Sequence, residues 1–201
     1  MFTGIIKSKG SITETTNSHI KISTNDSEIL KVEDGTSVSV DGACLTVTNI
    51  LQNEISFQTS KETIERTIIS NYSLGSIVNL ELPVKAQDYL SGHIVQGHID
   101  DISKLINVEE IGNNQWIFEF DTKNAKYLVD KGSITINGVS LTVVKPSKTT
   151  FKTYIIDETY KRTNFKYLEV GTKVNIEYDI LSKYLERLII DNWHWRNNNK
   201  I

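Results

Sequence analysis

The chain has a single cysteine, no excess of basic residues and no long apolar run. The lone Cys44 excludes an internal disulfide and fits a reducing compartment. A net charge of −3 argues against a nucleic-acid partner, which favours a basic surface. No apolar run approaches the ~20 residues that span a bilayer, and Met1–Lys7 lacks the layout of a signal peptide. We therefore expect a cytoplasmic protein with neither a nucleic-acid nor a membrane partner.

The main feature of the sequence is a pattern that occurs twice, at Val38–Asn49 and, 96 positions later, at Ile134–Lys145. Each copy alternates apolar residues around an Asp-Gly or Asn-Gly pair, which is typical of two strands joined by a tight turn. Glycine adopts positive φ freely in such a turn, and Asp or Asn tolerates it. A small nucleophilic residue follows each turn, Cys44 in the first copy and Ser140 in the second.

Two further blocks repeat at the same spacing: Lys61–Thr67 with Asp157–Thr163, and Leu74–Leu82 with Val170–Tyr178. A match of Asp34-Gly35 with Lys131-Gly132 at 97 predicts that one copy carries a one-residue insertion between these residues and the turn. Two copies indicate a duplicated domain instead of a solenoid. Each unit, at roughly 90 residues, is long enough to bury its own core.

The predicted elements of the first unit are short. Strands are expected at 1–12, 19–24, 54–59 and 77–84 besides the turn pattern, with helical turns at 27–33 and 63–66. Short strands with frequent turns indicate a small barrel or sandwich. Residues 85–89 form the linker, and 90–100 open the second unit in the place of the strand at Met1–Ile6. We therefore predict a mainly β chain with six-stranded units at 1–86 and 90–179.

After Asp179 the apolar period changes to that of one helix face: Leu181, Tyr184, Leu185, Leu188, Ile189 and Trp193. This helix belongs to residues 180–201, whose last part, 193–201, is a tail. The helix could pack on either unit or form an oligomer contact.

Several phrases together resemble riboflavin synthase of the alpha-chain type. They are Met1-Phe2-Thr3-Gly4-Ile5, the paired Gly-x-(Cys/Ser)-Leu-Thr-Val and Glu-Thr-x-x-Arg-Thr phrases, and Ser-Gly-His-x-x-x-Gly-His at 91–98. The resemblance covers residues 1 to about 185. It implies two homologous six-stranded Greek-key barrels and a C-terminal α-helix that gathers three chains into a homotrimer. The implied active site lies between the N-terminal barrel of one subunit and the C-terminal barrel of its neighbour.

The resemblance also implies a reaction, the last step of riboflavin biosynthesis. Two molecules of 6,7-dimethyl-8-ribityllumazine dismutate by transfer of a four-carbon unit, giving riboflavin and 5-amino-6-ribitylamino-2,4(1H,3H)-pyrimidinedione. No metal or redox cofactor is expected. Lumazine synthase is a candidate protein partner.

The resemblance carries a set of site residues onto this chain. The implied catalytic residues are Phe2, Thr3, Cys44, His98, Lys131, Ser140 and Asp179. The implied substrate-binding residues are Gly4, Ile5, Ile6, Cys44, Leu45, Thr46, Gln58, Glu62, Thr63, Gly97, His98, Ile99, Lys131, Ser140, Leu141, Thr142, Tyr154, Ile156, Glu158 and Thr159.

The chemistry of these residue types supports some roles more than others. His98 is the best proton carrier, because imidazole titrates near neutrality, and His93 is the weaker candidate. A thiol or hydroxyl at Cys44 or Ser140 could position a water or add to C7 of the lumazine, although a free cysteine is often only a small buried residue.

Other residues keep an alternative role. Lys131 could equally neutralise carbonyls at a helix end, and Asp179 could cap the final helix. Threonines such as Thr46 could simply favour strands. Asn137 stands where the first copy has Asp41, which puts an acidic role there in doubt.

Two other functions compete with the synthase. A lumazine protein of the same fold binds one lumazine or flavin without catalysis, but such proteins tend to lose the phrases of the second unit, which are intact here. A plain barrel scaffold or oligonucleotide-binding pair is disfavoured by the net charge and by the lack of an aromatic stacking row.

Overall fold

The computed structural model describes residues 1–198, with side chains as far as Ile190. Residues 199–201 of the predicted tail and the side chain of Trp193 therefore lie outside the described part. Six strands form the first unit: β1 Ser8–Thr15, β2 His19–Ser23, β3 Ser37–Val40, β4 Ala43–Leu51, β5 Glu54–Gln58 and β6 Ile77–Glu81. Six form the second: β7 Asp101–Gly112, β8 Gln115–Asp121, β9 Ser133–Ile136, β10 Val139–Thr142, β11 Thr150–Ile156 and β12 Lys173–Tyr178.

Within residues 1–198, three α-helices accompany the strands: α1 Lys61–Arg66, α2 Asp157–Arg162 and α3 Ile180–Asn198. Short 3₁₀ turns lie at Ile29–Lys31, Ile68–Asn71, Ala125–Tyr127 and Asn164–Tyr167. The predicted fold class, mainly β with two six-stranded units and a C-terminal helix, is confirmed.

The first unit is a closed antiparallel barrel with the strand order β1-β2-β5-β4-β3-β6. The connections from β2 to β3 and from β5 to β6 cross over neighbouring strands, as in a Greek key. Alternate side chains point inward, so that residues such as Ile20, Ile22 and Phe57 fill the interior. Burial of this apolar surface is the main force that stabilises the barrel.

The second unit repeats this order as β10-β9-β12-β7-β8-β11, but its edge strands meet at an isolated bridge between Val144 and Lys152. In the first unit the equivalent strands pair along their length, including Ile50 with Ile55. Pro146 occupies the position of Ile50 in the repeat. Because proline has no N–H to donate, it cannot extend the ladder, and a seam stays between β10 and β11.

The predicted strand over residues 1–12 is wrong in its first half, because β1 begins at Ser8. Residues 2–6 form instead a first arm, and residues 95–99 form an equivalent second arm. Phe2 and Val95, both fully buried, pair through backbone bonds of 2.7 and 3.1 Å. Ile6 packs in the core of the second unit, whereas Ile99 packs against the core of the first. The two arms are therefore exchanged between the units.

The predicted one-residue insertion is also wrong. The N–H of Gly35 bonds the carbonyl of Val47, and the N–H of Lys131 bonds the carbonyl of Val143 in the same way. Both residues have positive φ, 86° and 66°. The equivalent of Gly35 is thus Lys131 at the common spacing of 96, and the match of glycines was misleading.

Buried asparagines fix the two units against each other. The side-chain amide of Asn79 donates to the carbonyl of Asn137, and that of Asn175 donates to the carbonyl of Asp41, each at 2.8 Å. Both asparagines are fully buried. A buried amide that lost its partner would cost about 1–3 kcal/mol, so this pseudo-symmetric exchange favours one orientation of the units.

Helix α3 packs beside the second unit. Asp179 accepts the N–H of Leu181 at 3.0 Å, so the predicted capping role is present in the geometry. Lys183 pairs with Asp100, and Tyr127 donates to Glu186 at 2.6 Å. Among the described residues, no helix is long and apolar enough to cross a membrane.

Candidate functional site

The first pocket lies where β4 and α1 meet the second arm. A cavity of 300 Å³ is lined by Cys44, Ser60, Glu62, Thr63 and Arg66 together with Gly97, His98 and Ile99. An adjoining cavity of 270 Å³ adds Leu45, Thr46 and Gln58. The structure therefore brings together six of the predicted site residues of the first unit, Cys44, Leu45, Thr46, Gln58, Glu62 and Thr63, whereas the predicted site residues 2–6 lie on the first arm, away from this pocket. Ser60 caps α1 by accepting the N–H of Thr63 and so fixes the helix start at the pocket.

The second arm approaches Cys44 closely. The carbonyl of Gly97 accepts the N–H of Cys44 at 2.9 Å. Gly97 has a φ of 82°, and a Cβ on it would lie 2.6 Å from that of Cys44. Only glycine suits this position. The exposed His98 then lies at the mouth of the pocket beside the half-buried thiol.

A second site, around Ser140, is built in the same way from the first arm, and we call it the second pocket because it is equivalent to the first. The carbonyl of Gly4 accepts the N–H of Ser140 at 2.8 Å. Gly4 also has positive φ, and a Cβ on it would lie 2.6 Å from that of Ser140. Ile5 is exposed on this arm. Each arm therefore sets a glycine against the nucleophilic residue of the other unit.

His93 forms a short chain of hydrogen bonds in the second pocket. Its Nδ1 lies 2.7 Å from Ser140 Oγ, and its Nε2 lies 3.1 Å from Thr135 Oγ1. Burial lowers the pKa of His93, while nearby Asp179 opposes this effect. The neutral imidazole is thereby favoured. The sequence ranks His93 below His98, yet His93 is the histidine that contacts a nucleophilic residue.

The remaining residues of the second pocket follow the repeat. Leu141 and Thr142 lie on β10, Tyr154 and Ile156 on β11, and Glu158 and Thr159 on α2. Tyr154 and Ile156 are 47% and 55% exposed beside the seam. Their side chains and the strand edges are thus accessible to a ligand.

The other predicted catalytic residues have clear surroundings. Thr3 donates both its N–H and its hydroxyl to Glu81, and Phe2 is buried in the pairing of the arms. Both residues therefore hold the first arm in place. Lys131 is exposed in the turn before β9, and Asp179 lies at the start of α3, close enough to influence His93.

Asp41 and Asn137 lie at the interface between the two units, where each is buried. Asp41 accepts the N–H of Asn79 at 2.7 Å and the hydroxyl of Tyr72 at 2.9 Å. Asn137 accepts the N–H of Asn175 at 2.8 Å. Desolvation by burial raises the pKa of Asp41 to about 7. In both copies the side-chain oxygen of this turn residue accepts a backbone N–H of the last strand of its unit. Asn offers the same oxygen as Asp, so it can replace Asp without loss of the turn.

Sequence reasoning missed four buried polar residues. Glu81 and Glu177 hold the arms, and Asn79 and Asn175 hold the interface. The signal was present, because each pair repeats at 96 inside an otherwise apolar strand. Among the described residues, no group of three or more His, Cys, Asp or Glu side chains is arranged to hold a metal ion.

Comparison with known proteins gives a consistent result. The family model "Lumazine binding domain" matches residues 3–83 and 96–179. Riboflavin synthase of Actinobacillus pleuropneumoniae is 36% identical over 194 residues, which cover 94% of this chain and 90% of the relative. Riboflavin synthase of Bacillus subtilis (strain 168) is 36% identical over 204 residues, which cover 100% and 93%.

A similar solved structure is that of LumP complexed with riboflavin, with a TM-score of 0.80 and 25% identity over 89% of this chain and 99% of that chain. LumP complexed with 6,7-dimethyl-8-(1'-D-ribityl) lumazine has a TM-score of 0.78 and 27% identity over 88% and 98%. The predicted resemblance is confirmed: the chain belongs to the riboflavin synthase family and is built from two lumazine-binding domains.

Proposed function

We propose that this protein is a riboflavin synthase, a transferase that moves a four-carbon unit between two molecules of 6,7-dimethyl-8-ribityllumazine. The products are riboflavin and 5-amino-6-ribitylamino-2,4(1H,3H)-pyrimidinedione. One observation carries the proposal: a single chain keeps two pockets, each with its own nucleophilic residue and its own histidine. Two identical substrates require two such pockets.

The chemistry needs a base for the C7 methyl group of one substrate. The conjugated ring of the lumazine makes this methyl acidic, so a group that titrates near neutrality suffices. His98 stands at the first pocket beside Cys44 and can take the proton there. Its exposed position also allows it to return the proton to product or solvent.

The chemistry also needs an oxygen or sulfur nucleophile at C7 of the other substrate. In the second pocket, Ser140 Oγ is within hydrogen-bond distance of His93 Nδ1. With Nε2–H donating to Thr135, Nδ1 is free to accept the Ser140 proton. Ser140 then orients a water toward C7 or adds there itself.

Polar side chains around each pocket can hold the substrate. Gln58, Glu62 and Thr63 line the first pocket and offer groups for the pyrimidine carbonyls and the ribityl hydroxyls. Glu158 and Thr159 take the equivalent places in the second. We assign Lys131 to the rim of the second pocket, where an ammonium group would stabilise negative charge on the ring.

We also propose a homotrimer joined through α3. Leu181, Tyr184, Leu185 and Ile189 are each about 60% exposed on this helix. An apolar stripe of this kind favours burial against other copies. Light scattering should give the mass of three chains for the full protein and of one chain after truncation at Asp179. A monomeric full-length protein would refute the proposal.

Two further expectations belong to the same function. A cytoplasmic location fits the single free cysteine, and fractionation of cells with a tagged chain tests it. Association with lumazine synthase would pass the substrate directly between two enzymes. Co-sedimentation of the two purified proteins tests this association.

The division into domains 1–86 and 90–179, followed by residues 180–201, stays a prediction. Tyr89 is 90% exposed in the linker, so chymotrypsin should cut there first. The two fragments should stay together after the cut, because exchanged arms and buried asparagines join them. Early cleavage inside either unit would contradict these boundaries.

The deciding experiment mixes the protein with 6,7-dimethyl-8-ribityllumazine, without metal or nucleotide, and follows riboflavin by absorbance and fluorescence. One riboflavin for two lumazines consumed establishes the synthase. Fluorescent binding without product would favour the second candidate, a non-catalytic lumazine protein, which the likeness to LumP keeps in view.

A further inference from the structure

Two buried glutamates stand behind the arms, one in each unit. Glu81 Oε1 accepts the N–H of Thr3 at 2.8 Å, and its Oε2 accepts the N–H of Gly4 at 3.1 Å. Glu177 Oε1 accepts the N–H of Gln96 at 2.7 Å, and its Oε2 accepts the N–H of Gly97 at 2.8 Å. Each carboxylate thus binds consecutive backbone N–H groups, a geometry that suits an anion.

Each glutamate belongs to the barrel opposite the pocket that it serves. Glu177 is the penultimate residue of β12 in the second unit, but the arm that it holds bonds Cys44 of the first unit through Gly97. Glu81 ends β6 of the first unit, but its arm bonds Ser140 of the second unit through Gly4. One set of contacts therefore runs from the second unit to the first pocket, and the other runs from the first unit to the second pocket.

We propose that Glu81 and Glu177 are positioning residues, each of which sets the geometry of the catalytic pocket in the opposite barrel. Glu177 controls the distance between His98 and Cys44. Glu81 controls the position of the first arm over Ser140 and over His93, which is hydrogen-bonded to Ser140. This assignment deepens the proposed synthase function and rests on it only for the catalytic meaning of the pockets.

The chemistry of the carboxylate explains why glutamate is required. Both of its oxygens accept, whereas the amide of glutamine has one acceptor and one donor. In Glu177→Gln, an NH₂ group would replace an acceptor and face the N–H groups of Gly97 and His98. The second arm would then leave its place, and Cys44 beneath it would become more accessible.

The single thiol allows a test that needs no substrate. The rate of alkylation of Cys44 by iodoacetamide should rise about tenfold in Glu177→Gln, the factor that corresponds to loss of one charge-assisted hydrogen bond. In the matched variant Glu81→Gln, the rate should stay at that of the wild type. The alkylation rate is measured as a function of pH. Removal of a charge would shift the pH at which the rate is half-maximal, whereas a displaced arm would raise the maximal rate at high pH.

A second test moves the only thiol to the second pocket, so that the expected responses to the two glutamine variants are exchanged. In a chain with Cys44→Ser and Ser140→Cys, the only thiol lies in the second pocket. Glu81→Gln should now raise the rate, and Glu177→Gln should leave it unchanged. This test also decides the matter if one of the two glutamine variants fails to fold, because the other still has a predicted response.

The outcomes separate this proposal from the proposed function. Equal responses of both thiols to both variants, or no response, would overturn the crossed positioning even in an active synthase. Crossed responses in a protein that makes no riboflavin would uphold the positioning and refute the synthase. In an active enzyme, both variants should lower kcat more than they raise KM.

Discussion

The two units share a strand order and a turn pattern, and three of the differences between them concern the sheet, the turn and the pockets. The first barrel is closed, whereas the second has a seam between β10 and β11. The first turn carries Asp41 and the second Asn137. Cys44 shares its pocket with the exposed His98, whereas Ser140 is bonded to the partly buried His93.

These differences show which parts of a duplicated fold are free to change. The interface asparagines, the arm glycines and the buried glutamates are the same in both copies, because each makes an equivalent backbone bond. Among the predicted pocket residues, Cys44 is replaced by Ser140 and Gln58 by Tyr154. A frame held by backbone contacts has therefore allowed the two pockets to acquire different chemistry.

The largest effect should come from Gly97→Ala, which forces the second arm away from Cys44. Misplacement by about 1 Å of a catalytic group costs on the order of 100-fold in rate, so activity should fall by about that factor. Initial rates of riboflavin formation measure it. Gly75→Ala is the control, because Gly75 has a similar φ of 86° but open space around it. A similar loss in both variants would point to backbone strain instead of the arm contact.

A smaller and unequal effect is expected when the nucleophilic residues are removed. Ser140→Ala should lower the rate about tenfold, because it also breaks the hydrogen bond to His93. Cys44→Ala should have the weaker effect. The same kinetic assay compares the two variants under saturating substrate. Rates equal to wild type in both would contradict different roles for the pockets.

The smallest effect concerns stability and pH. Burial raises the pKa of Asp41 to about 7, so the folded state holds this proton more tightly than the unfolded state does. Its contribution to stability is present below about pH 4 and is lost as the pH rises to about 7. Asp41→Asn should therefore raise Tm at pH 7 by a few degrees relative to wild type, and much less at pH 4.

The reciprocal change provides the control for this comparison. Asn137→Asp places a buried carboxyl in the second unit, where Leu168 stands at the position of Tyr72 and offers no hydroxyl. The Tm of this variant should fall relative to wild type as the pH rises. Thermal melts from pH 4 to 8 measure both variants, and parallel Tm profiles for all three proteins would refute the assignment.

Much of the fold could be predicted because local signals agreed in two copies. The Asp41-Gly42 and Asn137-Gly138 turns set the register of the neighbouring strands, and one spacing joined three blocks. The pocket residues of the first unit followed from the same phrases. Whether those residues perform the assigned steps stays a prediction.

The exchange of the arms could not be predicted, because Ile6 and Ile99 read as apolar residues whichever core receives them. His93 also donates its N–H to Thr3 of the first arm, so its contact with Ser140 could not be predicted without the exchange. The match of Gly35 to Gly132 failed for another reason. Residue identity suggested it, although the backbone conformation required Lys131 to take the glycine position.

The bond between Gly4 and Ser140 has a consequence for the order of folding. The first arm, which is synthesised before the second unit, must wait for residue 140 before it reaches its final partner. Contacts between such distant positions form slowly, since the long intervening chain must first be arranged. During synthesis, the first barrel would complete its sheet while its arm was still unattached. We expect the docking of the arms to be the last folding step, and hence the moment at which both pockets become competent.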